Sequence, residues 1–266
     1  MIVLFMGTII AVAWNTLTDR TFSDQELQTY CNHLDDSILD IAIIGDSWVV
    51  PKQIDLGLKA QLSHMPNLRI TSYGQGGAKS KRILENLFEP QVAPNSSAEV
   101  LRGATDMVII IAGVNDLTSH IGKDFYAYHM MKMVEQFNAC SILPIIVTLP
   151  EFNIEGYFAD RPLYKKLLKD IPNKLLFDDN QLNARQEYIG YLTQQLQGST
   201  FNYLLVPFDD FITDYEMAKE QYDDWNHLNA TGYQELGRFI GSYISEQQLS
   251  FNERTIATPI NETKLD

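Results

Sequence analysis

Cysteine is almost absent from this chain. Its 266 residues include two, Cys31 and Cys140, far apart and in no C-x-x-C pair. No zinc or redox motif is therefore encoded locally, and whether the two pair with each other stays open. Basic residues are scarce as well: Lys and Arg number 20 against 34 Asp and Glu, for a formal charge of -14. Nucleic-acid binding rests on neutralising phosphates with cationic side chains, so nucleic acid is excluded as an expected partner. No H-E-x-x-H or metal-spaced His/Cys/Asp cluster occurs, and His33, His64, His120 and His129 are scattered. The sequence "GQGGAKS" falls short of a phosphate-binding loop, because Ala78 stands where the glycine before the lysine is required. There is no G-x-S-x-G elbow, which argues against the α/β-hydrolase arrangement of a nucleophilic serine.

Long apolar runs are also missing. The longest candidate is the amino-terminal "MIVLFMGTIIAVAWN", shorter than the roughly 20 residues a bilayer-spanning helix needs. Ala11-Val12-Ala13 has the small-x-small form of an export cleavage site, and the first basic residue is Arg20. Residues 1–20 thus read as a short signal or a truncated anchor, which implies export or the cell envelope. The alternative is an extra buried strand or helix in a cytoplasmic protein. Membrane contact is expected only through this segment.

What is present is an alternation of two periods. Apolar, β-branched runs at 41–44, 68–73, 107–112, 143–149 and 203–206 predict five strands. Helical spacing at about 54–63, 79–88, 125–138, 183–196 and 231–246 predicts helices between and after them. Strand alternating with helix implies an α/β fold, a parallel sheet covered on both faces. Nothing marks a second domain, so residues 21–251 read as one domain, with an insertion at about 151–181 and a polar tail over 252–266.

In an open parallel sheet, ligands collect at the carboxyl ends of the strands. The residues there are Gly45-Asp46-Ser47 after the first strand, Gly74-Gln75-Gly76-Gly77 after the second, Gly113-Val114-Asn115-Asp116 after the third, and Asp224-Trp225-Asn226-His227 beyond the fifth. Each alone reads as a turn, a helix cap or a surface histidine. Together, in this order and in these strand contexts, they resemble the SGNH (GDSL) hydrolase family, whose four blocks supply Ser, Gly, Asn and His. The resemblance runs from about residue 40 to 233. It implies a three-layer α/β/α sandwich with a five-stranded parallel, flavodoxin-like sheet, and hydrolysis of carboxylic esters through an acyl-enzyme without cofactor or metal.

The chemistry accounts for the residue types. A serine hydroxyl needs an imidazole to take its proton, and the imidazole needs a carboxylate to fix its tautomer and offset its charge. Ser47, His227 and Asp224 fill these roles, with Asp223 the less favoured carboxylate. The oxyanion of the tetrahedral intermediate needs preset donors. The resemblance maps these to the N–H groups of Ser47 and Gly77 and the side chain of Asn115, with Gly77 chosen over Gly76 by alignment alone.

For substrate contacts the candidates are Trp48, just after the nucleophile, His120, just after the asparagine block, and Tyr157 and Phe158 in the insertion. The insertion also carries Phe152, Tyr164, Arg161, Lys165, Lys166 and Lys169, and reads either as a cleft wall or as a peripheral hairpin. The expected partner is a small-molecule or carbohydrate ester, with removal of an acetyl or other small acyl group favoured. An acyltransferase, a lipase or lysophospholipase, and a non-catalytic carbohydrate-binding relative are the alternatives.

Overall fold

Five short runs rich in Ile, Val and Leu become the five strands, because residues that branch at Cβ or carry bulky apolar groups pack well on a pleated surface covered from both sides. A computed structural model describes residues 21–26, 31, 38–65, 67–89, 96–160, 162–165 and 181–256. In chain order the elements are β1 (Leu39–Gly45), α1 (Gln53–Gln61), β2 (Leu68–Gly74), α2 (Ser80–Asn86), α3 (Glu99–Arg102), β3 (Met107–Ile111), α4 (Val114–Thr118) and α5 (Lys123–Ala139). They continue with β4 (Leu143–Val147), α6 (Ile154–Ala159), α7 (Leu163–Lys165), α8 (Gln181–Gln197), β5 (Leu204–Val206) and α9 (Ala230–Ile256).

The strands form one parallel sheet in the order β2-β1-β3-β4-β5. This is the flavodoxin-like order, in which the chain reverses its direction of winding between β1 and β3 and opens a crevice at their carboxyl ends. Ile41, Ile43 and Ile44 of β1 and Val108 to Ile111 of β3 are buried, as a sheet covered on both faces requires. Helices α1 and α9 pack closely: a Cβ on Gly57 would lie 1.8 Å from the carbonyl oxygen of Gln234, and one on Gly237 would lie 2.2 Å from that of Ile54. Only glycine on both partners allows this approach.

All five predicted strands and five predicted helices are present. The short helices α3, α4, α6 and α7 were not predicted, since three to six residues are too few to display a 3.6-residue period. α9 continues to Ile256, into the stretch expected as a polar tail, and 257–266 lie outside the described residues. Residues 1–20 also lie outside them. Among the described residues no helix is long and apolar enough to cross a membrane.

The two cysteines form a disulfide, Cys31–Cys140, closing a sequence separation of 109. The segment at 21–26 lies against the first turns of α5. Ser23 N–H donates to His129 Nε2 at 3.1 Å, Tyr128 donates to the Ser23 carbonyl at 3.0 Å, and Phe22 packs on Phe125, Tyr128 and His129. Burial holds the His129 imidazole down to about 4, so it stays neutral while Nδ1 donates to the Phe125 carbonyl and Nε2 accepts.

Candidate active site

β1 ends at Gly45, and the chain turns at once. Val49 N–H donates to the Asp46 carbonyl at 3.2 Å and Trp48 N–H to Asp46 Oδ1 at 3.0 Å, while Gln75 N–H reaches back to the Gly45 carbonyl at 3.0 Å. In this turn Asp46 and Trp48 point into the core and Ser47 points to the crevice. A rigid strand end thus presents one hydroxyl. The other half of the site is a small loop closed by the antiparallel bridge between Tyr222 and Leu228. Asp223 N–H donates to the His227 carbonyl at 2.9 Å, and Asp224 Oδ1 accepts the N–H groups of Asn226 and His227, both at 2.7 Å.

Across these two pieces runs a continuous chain of polar contacts. His227 Nε2 lies 2.9 Å from Ser47 Oγ, and His227 Nδ1 lies 3.0 Å from Asp224 Oδ2. With Asp224 accepting, Nδ1 carries the proton and Nε2 is left as an acceptor facing the serine. Burial acts to raise the Asp224 carboxyl, but the bonds from the His227 ring and the N–H groups of Asn226 and His227 outweigh it and hold the group below the usual carboxylate range. Asp223 takes part through its backbone alone in these contacts.

The glycine block is a tight turn. Ala78 N–H donates to the Gln75 carbonyl at 3.1 Å, and Gly77 has φ +76°, the third-position conformation of a type II turn that favours glycine. Gly76 has no such φ, so conformation separates two glycines that alignment left level. Among the described residues, neither the N–H of Ser47 nor that of Gly77 makes a hydrogen bond. Asn115, in the first turn of α4, directs its amide nitrogen at Asp46 Oδ2 (3.2 Å) and at the Ala78 carbonyl (3.1 Å). The first three motif blocks are therefore joined at the turn that carries Ser47. Beside Gly77 opens a cleft of about 370 Å³ lined by Gln75 to Lys79, Lys81, Arg82 and Glu85.

The sequence-based substrate candidates fare unevenly. Trp48 is fully buried, packing against Phe208, Tyr233 and the His227 ring, so it forms the floor beneath the imidazole and not a wall of the cleft. His120 is 2% exposed, at the end of α4 with φ 54°, and does not line an open cleft. A bulky side chain next to a motif residue signals proximity, but the turn decides which way it points. Tyr157 is half-buried, its ring on Phe152. The side chains of Phe158 and Lys165, together with Arg161, Lys166 and Lys169, lie outside the described residues.

The insertion does touch the site loop. Asn153 N–H donates to the Trp225 carbonyl at 3.0 Å, the Trp225 indole N–H donates to Asp160, and a Cβ on Gly156 would lie 2.6 Å from the Trp225 ring.

Sequence reasoning missed Arg185. On α8 it is buried, donating to the carbonyls of Leu149 and Pro150 and pairing with Glu151 at 3.0 Å and with Asp209. Tyr222 in turn donates to the Glu151 carbonyl at 2.7 Å, so this network ties the exits of β4 and β5 to the His227 loop. An arginine on a helix whose Ala184, Tyr188, Leu192 and Leu196 form a buried stripe is the signal that was available. Among the described residues no group of three or more His, Cys, Asp or Glu is arranged to hold a metal ion.

A family model described as the GDSL-like lipase/acylhydrolase family matches residues 43–235. Among solved structures, the chain is similar to a GDSL-like lipase from Bacteroides thetaiotaomicron, at 15% identity and TM-score 0.54 over 90% of this chain and 98% of that one. It is similar to the acetylxylan esterase Axe2 from Geobacillus stearothermophilus, at 19% identity and TM-score 0.52 over 77% and 94%. It is also similar to the psychrotrophic esterase EstA from a Pseudoalteromonas species, at 13% identity and TM-score 0.52 over 79% and 98%. At these identities the likeness is one of fold. No curated protein matches the chain. The matched span runs from within β1 to the first turns of α9 and so contains every motif block of the site; the chain belongs to the GDSL-like lipase/acylhydrolase family.

Proposed function

We propose that this protein hydrolyses carboxylic esters with Ser47 as nucleophile, His227 as general base and Asp224 as the carboxylate that orients and supports the imidazole. The observation that carries this reading is the unbroken chain from Ser47 Oγ to His227 to Asp224, with contacts of 2.9 and 3.0 Å. His227 takes the serine proton as Oγ attacks the ester carbonyl, then returns it to the departing alcohol; water repeats the sequence on the acyl-enzyme. The oxyanion meets the N–H groups of Ser47 and Gly77, which have no acceptor among the described residues. Asn115 is the third donor: a small shift of its amide exchanges the bond to the Ala78 carbonyl for one to the oxyanion while the bond to Asp46 is kept.

The substrate is an acetyl or other small acyl ester of a carbohydrate. Supporting this, the side chain of Asp224 is 54% exposed, so the site is shallow. The neighbouring cleft is edged by Gln75, Lys79, Lys81, Arg82 and Glu85, groups suited to hydroxyls more than to a long acyl chain. An acetylxylan esterase is among the proteins of similar fold. The disulfide supports an exported or envelope location, where thiols oxidise.

The test is incubation with an acetylated xylo-oligosaccharide and a free sugar acceptor, measuring both acetate and newly acylated sugar. Acetate release alone is the expected result. Acyl transfer to the sugar would make the protein an acyltransferase, and rates rising steeply from acetate to octanoate esters would favour the lipase reading.

A further inference from the structure

Two acidic residues of the motif blocks take no part in the chemistry above, and both are fully buried. Asp46 stands between β1 and Ser47. Its Oδ1 accepts Trp48 N–H, which shapes the serine turn, and its Oδ2 accepts the Asn115 amide at 3.2 Å. Asp116, beside Asn115 on α4, accepts the N–H and the hydroxyl of Ser80 at 2.9 and 2.6 Å. Ser80 is the first residue of α2, three positions after Gly77. One carboxylate thus links the Ser47 turn to Asn115, and the other links α4 to the segment that carries Gly77.

We propose that Asp46 and Asp116 are positioning residues that assemble the three oxyanion donors, and that Asp46 does so in its ionised form by holding the nitrogen edge of the Asn115 amide. The proposal rests on the assignment of Ser47, Gly77 and Asn115 made above. An ionised carboxylate only accepts, so it can serve two N–H donors at once. A protonated one carries a donor of its own, which would meet a donor from Asn115 or Trp48. Neutral Asp46 therefore gives up one of its two N–H bonds, and an Asn115 amide held by the Ala78 carbonyl alone is aimed less firmly. Preset orientation is what gives such donors their effect on the transition state.

The surroundings place this titration in a working range. Asp116 on α4, Tyr126 on α5 and Tyr233 on α9 face Asp46, and Lys79 faces Asp116. Burial pushes the Asp46 carboxyl up to about 7, helped by Asp116 and opposed by the bonds from Trp48 and Asn115. On acidification Asp46 passes to its neutral form in a range where turnover can be followed.

Asp46→Asn tests this on 4-nitrophenyl acetate. We expect kcat to fall at least about tenfold with KM within about twofold, because the loss is one of transition-state contact. The ratio of wild-type to variant kcat should be largest at pH 8 and narrow towards 1 as the pH falls and Asp46 in the wild type becomes neutral. Stability should move the other way. Asp46 has a folded pKa above its unfolded value, so its stabilising contribution is full below about 4 and lost as pH rises to about 7. At pH 8 the wild type therefore buries an anion that the variant lacks, and the melting temperature of Asp46→Asn should hold or rise while its rate falls. A purely structural Asp46 would lower both.

Wild-type kcat in Asp46→Asn, or a wild-type-to-variant ratio that stays constant from pH 8 to pH 5, would each overturn the proposal. If Asp46→Asn does not fold, Asn115→Ala serves: the wild-type-to-variant ratio should narrow in the same way at low pH, and a constant ratio would overturn the proposal. If Ser47→Ala left activity intact, the esterase reading itself would fail; loss in Ser47→Ala with none in Asp46→Asn overturns this proposal alone.

Discussion

Asp224 binds the imidazole from one side and its own loop from the other, because Oδ1 accepts the N–H groups of Asn226 and His227 while Oδ2 faces Nδ1. Asp224→Asn would keep most of this geometry yet remove the charge that offsets the imidazolium and the acceptor that fixes its tautomer. We expect kcat on 4-nitrophenyl acetate to fall about 10²- to 10⁴-fold with little change in KM. An unchanged rate would move the role to another carboxylate, Asp223 first. Because its folded pKa is depressed, the contribution of Asp224 to stability is present above the ordinary carboxylate range and lost as pH falls through the folded value. At this scale the side chains that meet at the crevice, Ser47, His227 and Asp224, were legible in the sequence, since each lies in a short motif beyond a strand. The residues that orient them were not. Asp46 and Asp116 lie inside the quoted blocks, but only the fold shows that one turns to Asn115 and the other to Ser80.

Among the elements, α8 does more than cover the sheet. Arg185, 4% exposed, reaches from it to the Leu149 and Pro150 carbonyls, Glu151 and Asp209. Arg185→Ala would leave these acceptors without their cation. Breaking a buried ion pair costs about 3–5 kcal/mol. Here the side chains of Glu151 and Asp209 retain 21% and 37% exposure, so about 2–4 kcal/mol is a better figure after allowing for solvent screening. For a domain of this size that lowers the melting temperature by roughly 5–15 °C, and thermal unfolding would read it; an unchanged melting curve would show the network to be dispensable. The strands match within a residue or two because β1, β3, β4 and β5 carry apolar runs in a doubly covered sheet; β2, at the edge, is only partly buried. α4 was hidden because its five residues, Val114–Thr118, read equally as a turn. The contact of α6 with Trp225 depends on a glycine at 156 fitting beneath an indole, which no spacing rule predicts.

For the molecule as a whole, the disulfide joins the segment before β1 to the end of α5 and closes a separation of 109 residues. Cysteine count alone left this pairing open, since distance in sequence says nothing of the 5.4 Å between the Cα atoms. In the chain-entropy account, a loop of this length contributes about 4–5 kcal/mol by restricting the unfolded chain. Reduction under native conditions should therefore lower the melting temperature by roughly 10 °C or more. The catalytic groups lie elsewhere, so esterase activity at 25 °C should survive it. No shift on reduction would mean that the segment adds little to the folded state, and loss of activity without loss of folding would place the segment in the site.

The central claim is that Ser47 is the nucleophile, and the most direct measurement is covalent labelling. A fluorophosphonate probe, read by intact mass and peptide mapping, should add one equivalent to the folded protein at Ser47. Ser47→Ala should abolish both the adduct and 4-nitrophenyl acetate turnover, the latter by about 10⁴-fold or more, with the melting curve preserved. An adduct on another residue, or turnover that persists in a folded Ser47→Ala variant, would contradict the account.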